Sequence, residues 1–184
     1  LQSLIKEELV ALSDGSQTNP DAGLVEAIGA AVRGAKEDPA FAALLTRLPE
    51  VGELFLERQP ADPVALHAAI LKLKAALYSE LAGEIAETLK APPPAPYNPG
   101  AEQASIRALR TAFIGLTGTS NTPDAASTLL GLYERAPNMT ERLATLRALM
   151  FTAGSAKQEA IAAFARQWSA NPLVMDKWFS VQAA

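Results

Sequence analysis

Few side chains in this sequence are of a type and spacing that could do chemistry. His67 is the only histidine and there is no cysteine. A hydrolytic zinc site takes about three protein ligands, mostly imidazole with a carboxylate, and a mainly carboxylate site suits zinc poorly. The sequence therefore predicts a structural or solvated His67 and neither a catalytic residue nor a metal site within the chain. Glu80, Glu84 and Glu87 are spaced to share a helix face. General acid-base work would need one of them desolvated, and an amphipathic segment predicts a solvated face instead. Arg107 and Arg110, with Arg142 and Arg147, fall in pairs on two segments that read as neighbouring helices. A guanidinium fork matches a carboxylate, so Arg107 and Arg110 are the candidates for holding an anionic group such as a peptide carboxylate, with solvated helix charges as the alternative. Trp168, Trp178 and Phe179 would form either an aromatic recognition surface or, as aromatics between helices commonly do, packed core. No phosphate loop, nucleophile elbow or dinucleotide fingerprint is present.

The elements that must position these residues are helices. Six prolines directly follow a good capping residue: Asn19-Pro20, Asp38-Pro39, Asp62-Pro63, Asn98-Pro99, Thr122-Pro123 and Asn171-Pro172. A side-chain oxygen at the N-cap accepts from a free first-turn amide, and proline one position on loses no hydrogen bond. Asn138-x-x-Glu141 and Ser155-x-x-Gln158 read as capping boxes. That use also accounts for Asn138-Met139-Thr140, which otherwise matches a glycosylation acceptor. Shorter helices are expected over 1–12, 20–34, 39–47 and 50–58, with breaks at Asp14-Gly15-Ser16 and Gly34. From Asp62 to about Lys90, Leu66, Ile70, Leu73, Leu77, Leu81, Ile85 and Leu89 form one stripe, predicting a spine on the order of 40 Å long. Pro92-Pro93-Pro94-Ala95-Pro96 ends it in an extended stretch.

Three parts follow: 1–90, ending in the long helix; a proline-rich linker, 91–97; and 98–184. In the last part the final three intervals between caps are each 16 or 17 residues. Helix-plus-turn units of equal length predict stacked antiparallel hairpins in a superhelical arrangement of the armadillo or HEAT kind. Apolar stripes agree, as in Ile106, Leu109, Phe113 and Leu116, or Ile161, Phe164 and Trp168. Gly115 and Gly118 read as a helix stop. The fold class is all-α.

Composition bounds the partners. With 184 residues and 49% hydrophobic side chains, the chain can bury a sizeable core, and no stretch approaches the roughly 20 apolar residues of a membrane span. Net charge is −4. Residues 1–97 hold 8 basic and 14 acidic side chains and residues 98–184 hold 8 and 6, which is no nucleic-acid footprint. The absence of cysteine and of a secretory signal makes the cytoplasm the expected compartment. A first residue of Leu1 suggests a piece of a longer protein.

Three stretches carry a resemblance: Tyr97-Asn98-Pro99-Gly100-Ala101-Glu102-Gln103-Ala104, Asn138-Met139-Thr140-Glu141-Arg142-Leu143-Ala144, and Asp176-Lys177-Trp178-Phe179-Ser180-Val181-Gln182-Ala183. In that order and spacing they resemble the C-terminal helical region of the bacterial aminopeptidase N family, zinc-dependent alanyl aminopeptidases. Leu48-Pro49 and Asp62 to Ala69 extend the likeness. The resemblance implies a parent of four parts: a β-rich N-terminal domain, a thermolysin-like catalytic domain with zinc, a small β-domain, and a C-terminal superhelix that closes over the active site. The family's His-Glu-x-x-His helix has no counterpart here. The implied role is to wall and gate the chamber, with the catalytic domain of the same polypeptide and peptide substrates as partners and zinc as the parent's cofactor. The alternative is an independent helical-repeat scaffold that binds a protein partner.

Overall fold

A computed structural model describes residues 1–56, 61–120 and 122–183; among these there are eleven α-helices and no strand. They are α1 (Gln2–Ser13), α2 (Ala22–Gly34), α3 (Pro39–Leu45), α4 (Val51–Phe55), α5 (Pro63–Glu80), α6 (Ala82–Lys90), α7 (Ala101–Thr117), α8 (Pro123–Glu134), α9 (Met139–Leu149), α10 (Ala156–Trp168) and α11 (Pro172–Gln182). The chain divides into two compact units, Leu1–Ala86 and Glu87–Ala184.

Capping explains where most helices begin. Asp38, Asp62, Thr122 and Asn171 each accept from a first-turn amide, with proline in the opening positions of the helix. Two expected starts are displaced. After Asn19-Pro20 the cap is Asp21, whose carboxylate accepts from Leu24 N at 2.7 Å. After Asn98-Pro99 the helix waits until Ala101, because Asn98 Oδ1 takes the Gly100 amide at 2.7 Å in a local turn. Gln103 fixes that turn, accepting from Asn98 N and donating to Pro96 O. Ser155 makes no side-chain cap bond. A capping box that was not expected, Glu50 with Glu53, opens α4; the expected 50–58 helix runs beyond it onto Glu57 and Arg58, which lie outside the described residues.

The long helix is interrupted. Leu81 sits at φ −100° and ψ 15°, between α5 and α6, and Gly83, a poor helix former, follows two residues later. The apolar stripe nonetheless runs through the break: Leu66, Ile70, Leu73, Leu77, Leu81, Ile85 and Leu89 are all 5% exposed or less. Each such side chain contributes about 1.5–3 kcal/mol on burial. In the first unit α5 is the axis, with α1, α2 and α4 packed on it and α3 on α2. Gly15, at φ 77°, turns the chain after α1. The proline-rich stretch 91–97 holds no helix; the chain bends at Ala91 and at Ala95 and Pro96, whose peptide bond is cis.

In the second unit each helix touches the next and also the next but one: α7 packs on α9, α8 on α10 and α9 on α11. That pattern makes two layers, α7, α9 and α11 against α8 and α10, as stacked antiparallel hairpins require. Phe113, Ile114, Leu129, Leu146, Leu149 and Phe164 fill the space between them. α9 packs against α7, α8, α10 and α11, and two of its polar residues, Glu141 and Thr145, are buried. Thr145 is wholly enclosed, and its hydroxyl donates to Glu141 O at 2.7 Å, one turn back.

Candidate functional site

Arg107 and Arg110 both project from α7, three residues apart, and the structure gives them opposite surroundings. Arg110 is 3% exposed. Its Nε donates to Glu141 Oε2 at 3.1 Å, and its Nη1 donates to Thr88 O at 2.6 Å and Ala91 O at 2.9 Å. Glu141, also 3% exposed, is held in turn by Asn138, whose Oδ1 accepts from Glu141 N at 2.9 Å and whose amide donates to Oε1 at 3.4 Å. Asn138 therefore caps α9 and orients the carboxylate that meets Arg110. The two carbonyls lie at the C-terminal end of α6, where the helix dipole favours a cation. This fork is committed to the protein itself, and its charge is matched in place.

Arg107 is half-buried at the surface. Its Nη1 donates to Asn98 O at 2.9 Å, and its guanidinium lies 4.8 Å from the centre of the Tyr97 ring. Tyr97 is 59% exposed. Among the described residues the remaining Arg107 nitrogens have no protein acceptor, so they are open to a carboxylate. Beside this pair, Pro94, Asn98, Gln103 and Ile106 help line an open groove of about 360 Å³ at the start of α7. A stacked, preoriented guanidinium next to a groove can hold an anionic end group while the ring holds an apolar one.

The other expected residues are dispersed. Arg142 donates to Gln167 Oε1 at 2.7 Å and to Ala136 O at 3.1 Å, and Arg147 is exposed on α9. Glu80 and Glu84 are not a free solvated pair, because Arg33 meets them at 2.6 and 3.7 Å. His67 is exposed in the first turns of α5, and no group of three His, Cys, Asp or Glu side chains able to hold a metal occurs among the described residues. The donor set thus does not fit a zinc centre. The aromatic residues divide: Trp178 donates from its indole to Ile161 O at 3.0 Å, whereas Phe179 is 61% exposed and so departs from the expected core. Gly118 is the C-cap of α7, as expected of a helix stop, whereas Gly115 lies within the helix; a Cβ on Gly118 would also lie 2.7 Å from the Ala148 carbonyl oxygen, so glycine permits α7 and α9 to touch. Besides Arg33, whose hydrogen bond to Glu80 holds its pKa up, two groups among the described residues carry shifted ionisation. Burial pushes the Tyr133 phenol up, against the nearby charges of Arg142 and Arg166, and burial pulls the Lys74 ammonium down, against Glu50.

Glu141 is the residue that sequence reasoning assigned to the wrong partner. Its spacing from Asn138 predicts a box closing on the cap amide, yet the carboxylate turns to Arg110, 31 residues away. Glu141 is the one acidic residue of α9, and nothing in its local spacing marks the distant partner.

Comparison with known proteins agrees with this architecture. All of residues 1–184 match the family described as domain of unknown function (DUF3458_C) ARM repeats. Aminopeptidase N of Caulobacter vibrioides is 33% identical over 159 residues, 85% of this chain and 18% of that protein. Aminopeptidase N of Escherichia coli is 29% identical over 183 residues, 100% of this chain and 21% of that protein. The crystal structure of Legionella pneumophila aminopeptidase A in complex with aspartic acid superposes with a TM-score of 0.80 at 19% identity, covering 99% of this chain and 22% of that one. The chain spans about a fifth of the length of these relatives. No helix among the described residues is long and apolar enough to cross a membrane. The chain belongs to the DUF3458_C ARM-repeat family, and within it to the C-terminal helical domain of the aminopeptidase N family that its sequence resembles.

Proposed function

We propose that this chain is a helical segment of a cytoplasmic zinc aminopeptidase that removes N-terminal amino acids from peptides, and that it walls and gates the active-site chamber without contributing a catalytic residue. The observation that carries this reading is the match of the whole chain to the ARM-repeat family together with relatives that are aminopeptidases. Zinc would be held by residues of the catalytic domain in the same polypeptide, since the side chains here do not fit it.

In this reading the segment acts on access. A helical wall restricts which peptides reach the metal and excludes folded proteins and bulk water, leaving the intrinsic barrier of bond cleavage to the catalytic domain. Arg107 steers the carboxylate of an incoming peptide, and Arg110 positions α7 so that Arg107 faces the substrate. Neither nucleic acid nor membrane is a partner.

The reading frame that encodes the chain provides the test. A His-Glu-x-x-His helix several hundred residues upstream, with one zinc per purified full-length molecule and hydrolysis of an alanyl anilide, is the expected result. A frame without that motif, whose product folds, binds no zinc and captures a protein ligand, would instead establish the helical-repeat scaffold.

A further inference from the structure

The first unit contains a groove of about 480 Å³ where α1 meets the start of α2. Leu4 and Ala11 on α1 and Leu24 and Ala27 on α2 give it apolar walls, and Leu4 is 56% exposed. Into this groove looks Glu8, a carboxylate only 7% exposed. Both hydrogen bonds it accepts fall on one oxygen: Oε1 takes Gln17 Nε2 at 2.9 Å and Asp21 N at 2.8 Å. Among the described residues Oε2 has no donor, and no cation pairs with Glu8. A carboxylate removed from water needs a countercharge, and two neutral donors offset only part of its lost hydration. The other charged residues lining the groove, Glu7 and Asp21, are also acidic, and none is basic.

We propose that this groove docks a lysine side chain of a peptide segment: the aliphatic stem lies along Leu4, Ala11 and Leu24, and the ammonium reaches Glu8 Oε2. The fit rests on charge and polarity together. Apolar walls accept four methylenes, as long charged side chains place their stems on apolar surface. Oε2, which is not among the fully enclosed oxygens and so is open at the groove, supplies the one acceptor that an aliphatic ligand would leave idle, so the site discriminates by charge and not by area.

The probe is acetyl-Leu-Lys-Leu-amide, titrated into the ¹⁵N-labelled 184-residue chain beside its uncharged norleucine counterpart. The lysine peptide is expected to shift the amides of Gly23, Leu24 and Ala27, and the norleucine peptide to bind about tenfold more weakly. Glu8→Gln keeps an oxygen for Gln17 and Asp21 N but removes the charge, and should bring the lysine peptide down to the norleucine level. Ala27→Trp fills the groove from an exposed position, leaves Glu8 intact, and should abolish both. Equal binding of the two peptides would reduce the groove to an apolar surface and overturn the proposal. Unchanged lysine binding in folded Glu8→Gln or Ala27→Trp would overturn it as well, as would the absence of any shift up to about 10 mM. Should Glu8→Gln fail to fold, the Ala27→Trp chain and the two-peptide comparison decide the matter alone.

Discussion

Each unit contains an arginine that ties a helix end to a carboxylate on another helix, and the two ties sit in opposite media. In the second unit Arg110 reaches Glu141 and the Thr88 and Ala91 carbonyls with both charges about 3% exposed. In the first, Arg33 reaches the Glu80 carboxylate at 2.6 Å, Glu84 at 3.7 Å and the Glu80 carbonyl at 3.5 Å, but its side chain is 37% exposed. The hydrogen bond to Glu80 raises the Arg33 pKa, so its charge is secure in either case. The shorter contact is the weaker tie. Water already solvates Arg33 and its partners when the pair opens, whereas opening the buried pair strands Glu141 without hydration. Burial, and not distance, decides what each arginine contributes.

The largest expected effect follows from that difference. Arg110→Ala should lower the unfolding free energy by about 3–5 kcal/mol in urea denaturation, because Glu141 is left buried and unpaired. Replacing both partners, with Arg110→Met and Glu141→Leu, should recover much of the loss. A double variant as unstable as the single one would show that packing around the pair, and not the stranded charge, was responsible. Next comes Gly118→Ala. The new methyl meets backbone at 2.7 Å, and a clash with backbone is relieved only by moving α7 against α9, at a cost of about 1–3 kcal/mol. An unchanged midpoint would mean that this contact is looser than the structure gives.

Much of the helical layout was legible from residues whose effect is local. Asp38, Asp62, Thr122 and Asn171 cap where sequence puts them because a cap needs only its own first turn. The apolar stripe from Leu66 to Leu89 was visible for the same reason, since period alone defines it. What escaped depends on residues distant in the chain. The use of Glu141 by Arg110 and the contact of Gly118 with Ala148 are both consequences of which helix lies opposite, and a single sequence does not encode that locally. The candidate site shows the same limit. Arg107 and Arg110 read alike as arginines three apart on one helix, and only tertiary packing makes one a surface group and the other a buried tie.

Smaller effects sharpen the comparison. Tyr133 is 5% exposed, and its hydroxyl has no hydrogen-bond partner among the described residues. Removing it with Tyr133→Phe should be neutral or slightly stabilising, since no bond is lost. The native chain should lose stability as pH rises through the ordinary tyrosine range and on to the raised folded value, because the unfolded phenol ionises first. Melting curves at neutral and alkaline pH should therefore diverge less for Tyr133→Phe than for the native chain, and equal divergence would exclude Tyr133 as the source. Arg33→Ala should have the least effect, a small shift of the midpoint at low salt that disappears at high salt. A salt-independent loss as large as that of Arg110→Ala would contradict the ranking by burial.

The role proposed for this chain, as a wall in a longer aminopeptidase, is tested most directly by the kinetics of Arg107→Ala in the full-length protein, measured on an alanyl tripeptide and on alanine amide. Steering of the peptide carboxylate by a half-exposed guanidinium predicts a fall of about fivefold in kcat/KM for the tripeptide, shrinking with added salt, and no change for the amide, which has no carboxylate to steer. Equal losses on both substrates, or none on either in a folded variant, would contradict a wall that selects peptides through Arg107.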